Sequence, residues 1–219
     1  MVGLDALACA LGFGRRVAYS HVSRLARADL VDRVYDREGS LVAITPVGRR
    51  CARPDLVVCR GVKRGGVRTR AAHARATSWM AARSTLRGQQ WVSEREMARD
   101  GAWRFPVLAG EHRTHRADLG VIVEGARVVV EVELTAKAPA RLYAILAGYE
   151  RQLQVGGLDG VAYVCDDVRV SRAVERAARR VGLGDRVFRL FALSQIVTDV
   201  RDLAAPPVSA REPRSIGAR

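Results

Sequence analysis

Residues 117–137, ADLGVIVEGARVVVEVELTAK, decide the fold that this sequence predicts. Two apolar runs flank a short polar break, which is the pattern of a β-hairpin. We expect residues 121–123 to end the first strand, residues 124–127 to form the turn and residues 128–134 to form the return strand. The hairpin therefore places two apolar strands side by side near the middle of the chain.

The return strand carries two acidic residues on one side. Side chains alternate along a strand, so Glu131 and Glu133 share one face and the valines at positions 128, 130 and 132 share the other. Asp118 begins the neighbouring strand and reaches the same acidic patch. Three carboxylates on one face of an apolar hairpin repel one another unless a cation or a basic group lies among them. The hairpin therefore predicts a cation site.

The composition predicts a folded protein of the cytoplasm. The hydrophobic fraction of 48% is that of a chain with a packed core. No run approaches the roughly 20 apolar residues that a membrane-spanning helix needs, and the sequence begins without the apolar core of a signal peptide. The four cysteines, at positions 9, 51, 59 and 165, form no CxxC pair, which favours reduced thiols. We expect no membrane contact.

The charge predicts a polyanionic partner. The formal net charge is +14 and the isoelectric point is near 10.9, values typical of proteins that bind nucleic acid. Residues 1–70 contain 14 basic and 6 acidic residues, whereas residues 117–170 contain 5 basic and 8 acidic residues. An acidic island in a basic chain fits a cation site that faces DNA. The alternative is an ordinary basic protein with one acidic face.

Residues 1–52 have the pattern of a winged helix-turn-helix. Apolar residues at 4, 7, 8 and 11 have helical spacing, Gly-Phe-Gly at 12–14 makes the turn, and a second helix follows over residues 15–29. Strands at 31–35 and 41–45 are joined by a wing at 36–40. The segment resembles the winged helix of bacterial regulators, except that the usual first helix is missing. Three explanations for the missing helix stay open: the start site is misassigned, another part of the chain completes the fold, or a partner subunit supplies the helix.

The polar face of the second helix, together with the wing, predicts contact with double-stranded DNA. Helices of this kind lie in the major groove, where arginine reads base edges and both arginine and serine hold phosphates. The expected DNA-binding residues are Arg15, Arg16, Tyr19, Ser20, Ser23, Arg24, Arg27 and Arg37. The alternative is a domain that serves only for dimerisation or protein docking, and a homodimer stays open.

The remaining chain divides into three parts. We expect a basic linker at residues 53–70, an α/β domain at 71–204 and a disordered basic tail at 205–219. Around the hairpin, the pattern predicts a helix at 73–86, a strand at 91–94, a helix opened by Pro139, a buried strand at 161–165, a helix capped by Ser171, a strand at 188–193 and a helix from Ser194. A P-loop and a GxGxxG sequence are both absent, so we expect no nucleotide cofactor.

This order of elements resembles the PD-(D/E)XK, or restriction-endonuclease-like, nuclease core, an α+β or α/β fold with helices around a mixed sheet. The resemblance implies that Asp118, Glu131 and Glu133 bind Mg²⁺ or Mn²⁺ and that these acids and Lys137 are catalytic. The metal would activate water for attack on a phosphodiester. Glu133 stands where the superfamily has lysine, and Lys137 could serve in its place. If neither serves, the fold binds DNA without cutting it.

A narrower resemblance rests on the winged helix, the segment SERE at 93–96, HRADLG at 115–120, EVELTAK at 131–137 and RLYAILAGY at 141–149. Together these are similar to the replication-relaxation family of plasmids and integrated mobile elements. The family implies a role in plasmid replication, DNA relaxation or conjugative transfer. Accessory residues near the acids would be Glu94, Glu96, His115 and Arg141.

Two main hypotheses follow for the function. The first is a Mg²⁺-dependent DNA endonuclease or nickase that its winged helix directs to a site. The second is a non-catalytic DNA-binding replication accessory on a degenerate nuclease core. A transcriptional regulator with a sensory C-terminal domain is a weaker third hypothesis. Steep weakening of DNA binding by salt is expected in all three cases.

Overall fold

Two β-sheets organise the protein in the computed structural model, which describes residues 1–36, 38–52, 67–103 and 115–205. A three-stranded sheet belongs to the N-terminal part, and a five-stranded mixed sheet forms the centre of the larger part. The protein is therefore a mixed α+β protein, as the sequence predicts. Arg37, the linker residues 53–66 and the tail residues 206–219, all named above, lie outside the described residues.

The N-terminal part consists of a small sheet and three helices. Its elements are β1 (Val2–Gly3), α1 (Leu4–Ala10), α2 (Arg15–Arg27), β2 (Val31–Asp36), β3 (Gly39–Ile44) and α3 (Pro46–Ala52). All pairings in this sheet are antiparallel, in the order β1-β3-β2. Helix α2 ends at Arg27, two residues before the predicted end, because the chain turns through Asp29 with a positive φ of 56°.

Helix α4 (Val67–Leu86) joins this part to the larger sheet. It packs against α1 and β1, and the Gly3 backbone N–H donates to Ser78 Oγ at 3.0 Å. Ala6 of α1 and Trp79 of α4 belong to one buried cluster with residues of the larger sheet. The helix begins inside the segment predicted as a linker, so residues 67–70 are helical and not part of an irregular connection.

The larger sheet has the strand order β4 (Gln90–Ser93), β5 (Leu119–Val123), β6 (Ala126–Glu133), β7 (Gly160–Cys165) and β8 (Phe188–Ala192). The pairs β4–β5 and β5–β6 are antiparallel, while β6–β7 and β7–β8 are parallel. A short helix, α5 (Glu94–Met97), follows β4. Every residue of β7 is buried, in agreement with the fully apolar strand that the sequence predicts there.

Helices cover both faces of this sheet. On one face, α6 (Pro139–Gln154) and α7 (Val168–Arg180) bury an apolar cluster that includes Ile145 and Val174. On the other face, α4 and α8 (Leu193–Ala204) bury a second cluster with Trp79 and Ile196. Among the described residues, no helix has the length and apolar character to cross a bilayer.

The central hairpin forms, but with a shorter turn than predicted. Only Glu124 and Gly125 lie between the strands, and both have a positive φ, 51° and 87°. Two such residues make the tight turn whose twist suits an antiparallel pair, so Ala126 and Arg127 belong to β6 and not to the turn. The predicted division of faces is confirmed, because Val130 and Val132 lie in the α4–α8 cluster.

A further correction concerns the start of α7. Helix α7 begins at Val168, not near Ser171, because the Asp167 side chain caps it by accepting from the Arg169 backbone N–H at 2.6 Å. The helix opened by Pro139 is confirmed.

Gly120 of β5 has no room for a side chain, since a Cβ there would lie 2.7 Å from the indole ring of the buried Trp103.

Candidate functional site

The hairpin register brings Asp118 and Glu131 to neighbouring positions. Leu119 pairs with Val130 across β5 and β6, so Asp118, the residue just before β5, lies beside Glu131. The Asp118 backbone N–H donates to the Val130 carbonyl at 3.1 Å, and the Val132 backbone N–H donates to Asp118 Oδ2 at 2.8 Å. Backbone bonds thus fix the Asp118 carboxyl group against β6.

Glu131 is buried at the centre of this site. Its side chain is 2% exposed, and its Oε1 accepts a hydrogen bond from the Tyr149 hydroxyl of α6. The same oxygen lies 2.7 Å from His115 Nε2. Burial and then the Glu131 charge raise the pKa of Tyr149 well above its usual value, so this phenol keeps its proton and donates. A buried carboxylate with two donors on one oxygen is held in a fixed orientation.

Asp118 is held in a form that resists ionisation. Burial raises the pKa of Asp118 to about 8, and the Glu131 charge adds to this, whereas the Val132 N–H and the Lys137 charge act in the opposite direction. Asp118 Oδ1 also lies 3.0 Å from His73 Nε2 of α4. An ion pair would raise the pKa of His73, yet burial, followed by the Lys137 charge, lowers it. Burial is the largest effect on both groups, and it favours the neutral carboxyl group and the neutral imidazole at this contact.

Glu133 and Lys137 form a second contact on the same side of β6. The Lys137 ammonium donates to Glu133 Oε2, and the Glu133 side chain is 6% exposed. Burial raises the pKa of Glu133, and the bond from Lys137 only partly offsets that effect. The Lys137 charge also lowers the pKa of both Asp118 and His73, so its ammonium lies within electrostatic reach of Asp118. The structure therefore brings Asp118, Glu131, Glu133 and Lys137 to one region.

The expected accessory residues separate into different groups. His115 contacts Glu131 directly, as described above. The Glu96 carboxylate accepts from the Ser93 backbone N–H at 3.0 Å and from the Ser93 hydroxyl at 2.8 Å, and so caps α5. Glu94 is exposed and lies 3.6 Å from Arg116, although its charge slightly raises the pKa of Asp118. Arg141 is exposed in the first turn of α6.

The sequence did not identify two residues that belong to the site, Tyr149 and His73. Tyr149 was named only within the segment 141–149 that carries the family resemblance; it is a core residue, 1% exposed, and its hydroxyl also bonds Glu131. His73 carried no signal, because nothing in the sequence pairs a residue of α4 with the start of β5. Tyr163 lies opposite Glu131 on β7, and its buried hydroxyl has no hydrogen-bond partner among the described residues.

The side chains of this site are of the type that binds a divalent cation, but few of them are grouped closely enough to do so. Carboxylate oxygens are the ligands that Mg²⁺ and Mn²⁺ prefer, and two adjacent acids gain stability from a cation between them. Across the described residues, however, no group of three or more His, Cys, Asp or Glu side chains is arranged to hold a metal ion. Glu133 is engaged by Lys137, which leaves Asp118 and Glu131 as the carboxylates that fit.

The predicted DNA-binding residues lie on two sides of α2. Arg16, Ser20, Arg24 and Arg27 are exposed and point away from the buried side that Ala18 and Val22 form. Arg15 lies 3.0 Å from Asp5. Tyr19 and Ser23 turn toward β2 instead, where both accept hydrogen bonds from Arg33. The outward face is therefore narrower than predicted and more strongly basic.

Comparisons of the chain with protein-family models, with curated proteins and with solved structures found no match.

Proposed function

We propose that this chain binds double-stranded DNA through α2 and the β2–β3 hairpin and cleaves or nicks a phosphodiester in a metal-dependent reaction. The observation that carries the proposal is the pair Asp118 and Glu131, which the hairpin register places side by side, with Glu131 buried, the Asp118 side chain 21% exposed and Lys137 in electrostatic reach. Two adjacent carboxyl groups beside an ammonium group are what a site for a cation and a phosphate requires.

Each residue of the site has a role in this proposal. Asp118 and Glu131 would hold Mg²⁺ or Mn²⁺, which when bound supplies the positive charge that activates water and neutralises the phosphate. Tyr149 and the Val132 backbone N–H orient the two carboxyl groups. Lys137 would move from Glu133 to the phosphate oxygens, a role for which its compact charge is suited. His115 contacts the same Glu131 oxygen as Tyr149 and so helps to keep this carboxylate aligned.

The arrangement of elements supports the DNA-binding half of the proposal. Two helices and an antiparallel hairpin in the N-terminal part have the order of a winged helix, and α4 packs against α1 and β1 of this part. This supports the explanation that another part of the chain completes the domain. The antiparallel β4–β5–β6 meander followed by parallel β7 and β8 supports the nuclease-core resemblance.

The biological setting is proposed on the sequence resemblance. The segments around Asp118 and Glu131 that resemble the replication-relaxation family favour a protein of a plasmid or mobile element. Its role would be in replication, DNA relaxation or transfer, and action on such DNA would place it in the cytoplasm. The transcriptional regulator stays a weaker proposal.

A second candidate is a DNA-binding accessory protein that does not cleave. One observation favours it: Glu133 occupies the lysine position and forms an ion pair with the lysine that would replace it. A lysine held by a buried carboxylate is unavailable for a phosphate unless that contact breaks. The two candidates share the DNA surface and differ only at the acid site.

Incubation with supercoiled plasmid in Mg²⁺ or Mn²⁺ tests the choice between them. Wild type is compared with Asp118→Asn and Glu131→Gln, which keep the side-chain shape and remove the charge. Glu175→Gln is the matched control, because Glu175 forms an exposed ion pair with Arg179 on α7. We expect nicked or linear plasmid from wild type and control and none from the two site variants.

The outcomes separate the candidates. Intact plasmid with wild type at every metal and salt concentration, together with a normal gel shift, would favour the accessory protein. Equal cleavage by Asp118→Asn and wild type would place the activity elsewhere. A gel shift that is absent, or that does not weaken as salt rises, would remove DNA as the partner altogether.

A further inference from the structure

Three residues form an exposed cluster beside the outward face of α2. The Arg33 guanidinium of β2 lies over the Tyr19 ring at 4.4 Å and over the Tyr35 ring at 5.0 Å. Tyr19 is 43% exposed and Tyr35 is 58% exposed. We call these three residues the tyrosine–arginine platform. The two tyrosine rings therefore present flat apolar surface to solvent, in a part of the chain that is strongly basic.

Hydrogen bonds hold the platform in place. Arg33 Nη2 donates to the Tyr19 hydroxyl at 2.5 Å, and Nη1 donates to Ser23 Oγ at 2.8 Å. The two tyrosine hydroxyls lie 3.3 Å apart. The rings are thus oriented before any ligand arrives, so binding against them costs little side-chain entropy. A contact that served only to fix α2 on the sheet would not need to leave both rings this exposed.

The chemistry of the platform selects its ligand. Bases inside a duplex cover one another's faces and offer only their edges in the grooves. An unpaired base has a free face, which stacks on aromatic rings, and the adjacent guanidinium attracts its phosphate. Tyr19 lies on α2 next to Ser20, whose side chain faces outward with Arg16. An unpaired base at the platform would therefore belong to a strand that extends from the duplex bound by α2.

We propose that the tyrosine–arginine platform binds an unpaired base, so that the preferred ligand is a junction between duplex and single-stranded DNA. This inference rests on the proposed DNA binding and does not depend on cleavage. It adds two residues, Arg33 and Tyr35, to the DNA surface. It also narrows the substrate class from any duplex to one with an opened or single-stranded end.

Fluorescence of 2-aminopurine tests the proposal. One probe is a short duplex with a single-stranded extension whose first unpaired base is 2-aminopurine, and the other is the fully paired duplex of the same strand. We expect wild type to quench the unpaired probe and to bind it roughly 5- to 100-fold more tightly than the paired probe, the range for stacking of one base on an aromatic ring. Tyr35→Leu should lose the quenching and the preference, and Tyr35→Phe should keep both.

Tyr143→Leu is the matched control, since Tyr143 is 41% exposed and has Arg180 over its ring at 5.2 Å on the far side of the larger sheet. Equal affinity of wild type for both probes, or no quenching, would overturn the platform while leaving duplex binding intact. Preference retained in Tyr35→Leu would overturn it too. Failure of wild type to bind either probe would instead overturn the proposed function. The wild-type comparison decides the matter even if a variant does not fold.

Discussion

The α2 surface and the acid site hold their charges in opposite ways. Arg16, Arg24 and Arg27 are exposed on one helix face. Glu131 is buried against α6, and Asp118 lies beside it on the hairpin, where burial and then the Glu131 charge raise the pKa of Asp118. Screening by water makes the arginine contributions small and nearly additive, whereas burial makes the two acids strongly dependent on each other.

This difference predicts how each region responds to change. Removal of one arginine should weaken DNA binding by a modest factor, and the effects of several removals should sum. At the acid site, one substitution should alter the behaviour of every neighbour, because Asp118, Glu131 and Lys137 act on one another electrostatically.

The largest effect is expected from the triple substitution of Arg16, Arg24 and Arg27 by alanine. Each arginine that neutralises a phosphate contributes ~0.9 to the slope of the logarithm of the binding constant against the logarithm of the salt concentration, so each removal should reduce the slope by that amount. We expect the triple variant to bind DNA ~100-fold more weakly than wild type at moderate salt. Fluorescence anisotropy with labelled duplex at several salt concentrations measures both quantities. The control replaces Arg169, Arg172 and Arg176, three exposed arginines of α7, and changes the net charge equally. Equally weakened binding by the two triple variants would show that only total charge matters.

A smaller effect is expected from Gly120→Ala, which tests the packing that builds the acid site. The new methyl group would meet the Trp103 ring at 2.7 Å, so either the ring or β5 must shift. We expect the free energy of unfolding to fall by ~1–3 kcal/mol, the usual cost of overpacking a core. Denaturant unfolding measures this, with Gly101→Ala as control because a Cβ at Gly101 meets no atom within 4 Å. Similar stability of the two variants would contradict the close packing of Trp103 on β5.

Asp118→Asn should stabilise the metal-free protein. The pKa of Asp118 in the folded chain is about 8, above its ordinary value of 3.8, so folding favours the protonated form. Stability due to this group is complete below about pH 4 and is lost as the pH rises toward about 8. We expect the variant to melt ~4 °C or more above wild type at pH 9 and near it at pH 4. Asp166→Asn, at an exposed position, is the control. A variant that is less stable than wild type at high pH would contradict the buried repulsion.

Much of the acid site was predictable because it is local in sequence. Glu131 and Glu133 alternate with valines along one strand, and a tight hairpin necessarily returns that strand beside Asp118. Lys137 follows Glu133 by four residues, and the nuclease resemblance names both as site residues, although it does not predict their direct contact. The turn was predicted two residues too long, because the sequence does not reveal that Glu124 adopts a positive φ.

The rest depends on packing between distant segments. His73 reaches Asp118 only because α4 lies against both β1 and the larger sheet, and no periodicity in the sequence encodes that position. Tyr19 and Ser23 were assigned to the DNA face from helical spacing alone. Their hydroxyls turn to Arg33 because a strand lies on that flank of α2, which spacing within one helix cannot show.

The most direct test of the central claim is anomalous diffraction from crystals soaked in Mn²⁺. We predict one strong manganese peak between the Asp118 and Glu131 carboxylates in wild type, with Lys137 turned away from Glu133. The same peak should be absent from Asp118→Asn crystals. Absence of manganese from this position in wild type at saturating Mn²⁺, or an unchanged peak in the variant, would contradict a metal site formed by these two acids.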